Sequence, residues 1–121
     1  MAKEADRAAV NAHCAEMPGA VVDDPWGGGH DCWKVGGKMF ALVGVSGEGL
    51  FAKCPDVETA EMLKDAGVAV KAPYFHKSWV LVPFARADEA ELAHRIRVSY
   101  EVIRGGLPKK VQAALAPLDP A

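Results

Sequence analysis

Cysteine is scarce and unpatterned in this chain. Cys14, Cys32 and Cys54 stand far apart, with no C-x-x-C pair among the three. That excludes a disulfide framework and the common zinc modules, whose ligands come in close pairs. His13-Cys14 and His30-Asp31-Cys32 do not supply the missing spacing, so the cysteines read as small buried residues in a reducing compartment. Long apolar runs are missing too. No segment nears the ~20 apolar residues that cross a bilayer, and Met1-Ala2-Lys3-Glu4-Ala5-Asp6-Arg7 lacks a signal-peptide core. The expected location is the cytoplasm, with no membrane partner. There is no excess of positive charge: the net charge is −2, the opposite of a strongly basic nucleic-acid binder.

Catalytic signatures are equally thin. Gly44-Val45-Ser46-Gly47-Glu48 places glutamate where G-x-S-x-G needs glycine, and the segment reads as a turn. Gly27-Gly28-Gly29 lacks the Lys-Ser/Thr of a phosphate loop. Asp23-Asp24 reads as a solvated turn more readily than as a cation site. No nucleophile, base and orienting acid stand out together. The expectation is a protein that is not an enzyme, with no cofactor and no metal.

What is present describes one globular domain. Of 121 residues, 50% are hydrophobic and 25% charged, enough to bury a core unaided. The domain is expected over residues 1–116, with a short tail over 117–121 marked by Pro117 and Pro120. Charge is unevenly placed. Residues 1–33 hold two basic and six acidic side chains, whereas residues 34–110 hold twelve basic and nine acidic. Any anion-binding surface belongs to the central and C-terminal parts.

The pattern along the chain alternates helix and strand. An Ala-rich helix runs to about Glu16 and is stopped by Pro18-Gly19. Val21 to Asp31 reads as a connection, made flexible by its three glycines. Strands Cys32–Val35 and Met39–Val45 flank Gly36-Gly37, which suits a hairpin turn needing positive φ at both centres. After Ser46-Gly47-Glu48-Gly49, the segment Leu50–Cys54 completes a three-stranded meander. Asp56 caps a helix reaching about Ala66, and Gly67 ends it. Val68–Pro73 is a short strand or extended loop, and Phe75–Phe84 a longer strand. A helix over Glu89–Arg104 is capped by Asp88, with Leu92, Ile96, Ser99 and Ile103 on one face. A final helical turn reaches Leu115. This order gives an α+β domain, with helices packed on one side of an antiparallel sheet.

Four short signatures occur in order: Met17-Pro18-Gly19, Lys34-Val35-Gly36-Gly37-Lys38-Met39-Phe40, Lys77-Ser78-Trp79-Val80, and Ser99-Tyr100-Glu101-Val102 with Leu107-Pro108-Lys109-Lys110 close behind. Together they resemble the MmcQ/YjbR-like family of small bacterial proteins, over about residues 5 to 112. The resemblance implies a CyaY-like fold with a double-wing arrangement and a DNA-binding role. Two stretches depart from the family's usual pattern: the glycine-rich residues 25–30 and the short run over residues 72–79. Both are loop candidates.

Residues two apart on a strand share a face. Lys38 with Phe40, Phe51 with Lys53, and Lys77 with Trp79 would therefore put ammonium groups beside flat rings, a surface that stacks bases and neutralises phosphates. Residue by residue the structural reading is the stronger: such aromatics are more often core, and strand lysines commonly guard an edge or snorkel over apolar surface. Lys77 with Trp79 is the first pair to test for binding. A second basic group comprises Arg95, Arg97, Arg104, Lys109 and Lys110, either a binding face or a solvated helix surface. Ser99 is expected to bond back to its own helix, and Tyr100 to pack with its hydroxyl satisfied. His76 at a strand entrance could meet an anion. The expected nucleic-acid contacts are thus Lys38, Lys53, Lys77, Trp79, Arg97, Arg104, Lys109 and Lys110, with DNA as partner and the protein a monomer. The alternative is a protein-interaction or small-anion-binding module using the same face.

Overall fold

The structure, a computed structural model, describes residues 2–118; the last three residues of the expected tail, and Met1, lie outside them. Helix α1 spans Ala2–Ala15, and strands β1 (Val21–Asp23), β2 (Asp31–Val35), β3 (Lys38–Val43) and β4 (Gly49–Lys53) follow. Helix α2 covers Val57–Asp65, then come β5 (Val70–Lys71), β6 (Trp79–Pro83) and a 3-10 turn at Phe84–Arg86. Helix α3 (Glu89–Gly105) and the short α4 (Lys109–Ala114) complete the chain. The strands form one six-stranded sheet in the order β1-β2-β3-β4-β6-β5, antiparallel throughout.

Local chemistry sets many of the boundaries. Gly36 and Gly37 take φ of 56° and 81°, the paired left-handed geometry that a two-residue hairpin demands. Asp56 accepts from the Thr59 amide at 2.7 Å and Asp88 from the Glu91 amide at 2.9 Å, each capping its helix. Gly67, at φ 79°, ends the turn after α2.

The structure corrects the expected pattern in several places. The presumed connection after Pro18 holds a strand, β1, whose three residues are all exposed and so carry no alternation to read. The meander is extended, because β6 inserts between β4 and β5. The strand expected from Phe75 begins only at Trp79. Phe75 donates to the Ala72 carbonyl (3.3 Å) and Trp79 to that of His76 (2.9 Å), so two consecutive turns occupy the interval.

The most consequential departure is a bulge in β3. Trp33 faces Ala41 but Lys34 faces Met39, leaving Phe40 as the extra residue. Phe40, Ala41 and Val43 all join the core beneath α1 and α3, while Leu42 and Met39 line the opposite face. Phe40 is therefore not on an outward face; its ring meets Tyr100 edge-on at 5.3 Å. Lys38 lies opposite Val35, a core residue, which places it on the helix side of the sheet at its margin.

The bulge also opens the ladder between β3 and β4, whose pairing stops at Ala41 and Ala52. The next two groups, the Phe40 carbonyl and the Lys53 amide, are bridged by one side chain from α3. Ser99 Oγ donates to Phe40 O at 2.6 Å and accepts from Lys53 N at 2.9 Å. Ser99 thus bonds across the sheet and not back to its own helix, as the sequence suggested, because the gap in the ladder offers it both partners.

Its neighbour ties down the segment that follows α1. Tyr100, fully buried, donates its hydroxyl to the Pro18 carbonyl at 2.6 Å and accepts from Arg104 at 3.0 Å. Arg104 also donates to the Ala116 carbonyl at 2.7 Å, strapping the C-terminal segment to α3. Tyr100→Phe should cost about 1–2 kcal/mol, from the loss of both hydrogen bonds of the hydroxyl, one of them to the half-buried Pro18 carbonyl. Urea unfolding of the two proteins measures it.

Candidate nucleic-acid interface

The face of the sheet away from α1 and α3 carries a row of rings. Phe51 on β4 stacks on Phe75 with centroids 5.1 Å apart, and Phe75 lies 4.9 Å from Trp79. Trp79 sits directly across the strand pair from Lys53. Phe75 and Trp79, with Lys64, Lys71, His76 and Lys77, line a pocket of about 360 Å³ at the β5–β6 margin, where Glu61 is the one acid. Glu61 is ion-paired to Lys64, so Lys71 and Lys77 supply the excess positive charge. Lys77 stands on the turn before β6 and not on the strand, yet it reaches the same pocket as Trp79.

Behind two of the lining residues, His76 and Lys77, lies a buried polar group. Ser78 is almost fully buried; its hydroxyl bonds His76 Nδ1 at 2.8 Å and also meets Lys53 Nζ. The Ser78 amide donates to the same Nδ1 at 3.1 Å. Nδ1 is thus engaged by Ser78, while His76 lines the pocket beside Lys77. Lys53 is committed to Ser78, which fixes its ammonium beneath the aromatic row.

Beyond Phe75 the same face opens into a second, apolar cleft of about 600 Å³. Met39, Leu42 and Phe51 supply apolar lining, and Trp26, Tyr74 and Phe75 add their rings. The loops over residues 25–30 and 72–79 both contribute to this cleft. In the first, the Asp24 carboxylate accepts from the Gly29 amide at 2.9 Å, and His30 Nδ1 lies 3.0 Å from the Gly27 carbonyl. The bond from Gly29 is the main reason that the Asp24 carboxyl sits below its usual range. Arg7 reaches in from α1 to the carbonyls of Gly29 and Gly44. The glycine-rich loop, expected to be flexible, carries these hydrogen bonds and presents Trp26 at 63% exposure.

The Arg7 anchor is itself electrostatic. Its Nε meets Asp31 Oδ2 at 2.6 Å, and Asn11 donates to the same oxygen at 3.0 Å. Burial pushes the Asp31 carboxyl up, but the bonds from Arg7 and Asn11 outweigh it and hold the group below its usual range. A depressed carboxylate stabilises the fold above its unfolded pKa of about 3.9, and that contribution disappears as pH falls through the lower, folded value. Asp31→Asn should therefore be less stable than the parent at pH 7. The difference should shrink below about pH 4, as unfolding midpoints from pH 7 to 2 would read.

The remaining expected contacts lie elsewhere. Arg97 pairs with Glu101 at 3.7 Å on α3, and Arg104 is engaged with Tyr100 and the C-terminal carbonyls. Lys109 and Lys110 are exposed at the start of α4. That end adjoins the β2–β3 hairpin, where a Cβ on Gly36 would strike Leu107. Lys38, Arg97, Arg104, Lys109 and Lys110 thus belong to the helix side, and Lys53, Lys77 and Trp79 to the opposite face. Phe75, Lys64 and Lys71 were not singled out from the sequence. Pro73 in Ala72-Pro73-Tyr74-Phe75 is the turn signal that would have placed Phe75 off the strand. Among the described residues, no three His, Cys, Asp or Glu side chains gather as a metal-binding group, and no helix is long and apolar enough to cross a membrane.

Comparison with known proteins gives the architecture a context. The crystal structure of a Deinococcus radiodurans protein, DR2400, described as a DUF419 domain, superposes with a TM-score of 0.75 at 24% identity. The alignment covers 86% of this chain and 83% of that one, and at this identity the likeness is one of fold. No curated protein matches. The model of the family described as YjbR matches residues 15–102, a span from the end of α1 through Ser99, Tyr100 and Val102. The chain belongs to the YjbR family.

Proposed function

We propose that the protein is a non-catalytic, cytoplasmic DNA-binding domain, acting as a monomer and tolerant of sequence. The observation that carries this reading is the meeting of Phe75 and Trp79 with Lys71, Lys77 and His76 in one pocket on the open sheet face. Rings stack on bases of any identity, and lysines neutralise phosphates without reading sequence. The overall charge of −2 does not oppose this, because screening confines the relevant field to roughly 8–10 Å at moderate salt. Of the charged residues that line the pocket with Trp79, three are lysines and one is Glu61.

The test is a titration of fluorescent duplex and single-stranded DNA, first at low and then at higher salt. The expected result is binding in the micromolar range that weakens steeply with salt, through counterion release. Absence of binding at low salt would overturn the proposal and favour the protein-interaction or small-anion alternative.

A further inference from the structure

Tyr74 is the only described non-glycine residue with positive φ, at 71°. It occupies the third position of the Ala72–Phe75 turn, after Pro73, where a type II turn favours glycine. A tyrosine there is strained, and strain persists where something else depends on the residue. Packing does not account for it, because the ring is fully exposed to solvent. Its position does suggest a use: the ring stands at the rim of the 600 Å³ cleft, with Trp26 also on its lining. That volume falls within the range of sites for small organic molecules, roughly 300–1,000 Å³.

We infer that this cleft receives one unpaired nucleobase, so that the protein prefers single-stranded or locally opened DNA to intact duplex. The inference rests on the nucleic-acid reading above and gives it a polarity. Phe75 lines both the cleft and the cationic pocket, so a base in the cleft has its own backbone beside Lys71 and Lys77. The lining suits a base chemically. Phe51 and Leu42 offer apolar surface for its flat faces, and His30 and Ser46 offer polar atoms for its edge. A base within a duplex is stacked on both faces and cannot enter without being extruded. A free phosphate has no use for an apolar cleft.

The experiment compares two oligonucleotides of equal length and charge: an all-abasic phosphodiester chain, and the same chain bearing one central thymine. Stacking worth about 1–3 kcal/mol per base predicts 5- to 150-fold tighter binding of the thymine-bearing chain. Gly44→Phe should fill the cleft, since a Cβ at Gly44 meets nothing within 4 Å and its backbone is not left-handed. It should abolish the ratio while leaving affinity for the all-abasic chain unchanged. Tyr74→Gly, which relieves the turn, should keep the fold and reduce the ratio severalfold. Equal affinity of the parent for the two chains overturns the base-in-cleft inference and leaves the phosphate contacts standing. Failure to bind either chain at low salt overturns both. A ratio that survives Gly44→Phe places the base outside the cleft and overturns the inference as well.

Discussion

Ser99→Ala should unfold at markedly lower denaturant than the parent, with a loss of about 2–4 kcal/mol. The hydroxyl serves two main-chain groups at once, accepting from Lys53 N and donating to Phe40 O in a fully buried setting. Each orphaned group costs about 1–3 kcal/mol when water cannot replace its partner. The β3 bulge prevents the strands from closing the gap directly, since the pairing beyond Ala41 and Ala52 has already diverged. For a domain of this size the loss corresponds to a melting temperature lower by about 10 °C. A loss under about 1 kcal/mol would mean that the ladder recloses or a water enters. The same variant separates structure from binding: once folded at low temperature, it should retain the affinity of the parent.

The second large effect concerns charge. The Lys71→Glu, Lys77→Glu double variant should bind single-stranded DNA at least tenfold more weakly than the parent. Its plot of log affinity against log salt should be shallower by about 1.4, at roughly 0.7 per phosphate contact on a single strand. Lys109→Glu with Lys110→Glu tests the basic group on the helix side in the same way. Because the two groups lie on opposite faces of the sheet, one short strand cannot engage both. The sheet-face pair is expected to dominate and the α4 pair to change little. Unchanged affinity in both variants would overturn the phosphate-contact assignment altogether.

Local chemistry made much of the fold legible in advance. The Gly36-Gly37 hairpin, the Asp56 and Asp88 caps and the stop at Gly67 each follow from a residue type whose conformational preference is strong by itself. The bulge at Phe40 was not legible, because alternation assumes an unbroken period of two. One extra residue puts Phe40 on the same side as Ala41, so the outward face offered as one reading of Lys38 and Phe40 gives way to the core reading for Phe40 and the helix side for Lys38. Nor could any local pattern show that β6 pairs with β4 across the intervening α2 and β5. Of the candidate site, Lys53, Lys77 and Trp79 were visible as ring-and-cation pairs. Phe75, Lys64 and Lys71 were not, since only tertiary folding brings them beside Trp79. Arg104 read as a surface cation, and its task is to bind main-chain carbonyls. The family signatures proved largely architectural: Ser99 spans the opened ladder, Tyr100 holds Pro18, and Gly36-Gly37 turns the hairpin.

The insertion of β6 beside β4 has a dynamic consequence. Phe51 and Lys53 belong to one strand, while Phe75, Lys77 and Trp79 precede or begin another that arrives some 25 residues later in the chain. The two halves meet along a single seam of main-chain pairs, from Gly49–Pro83 to Lys53–Trp79. At Gly49 that seam is so close that a Cβ would lie 2.4 Å from the Val82 carbonyl oxygen. Any fluctuation that parts these strands dismantles the ring row in one step, while the β2–β3 hairpin keeps its own pairing. Hydrogen exchange at the amides of β6 should therefore act as a clock for the proposed binding surface: their opening rate sets how often the surface ceases to exist.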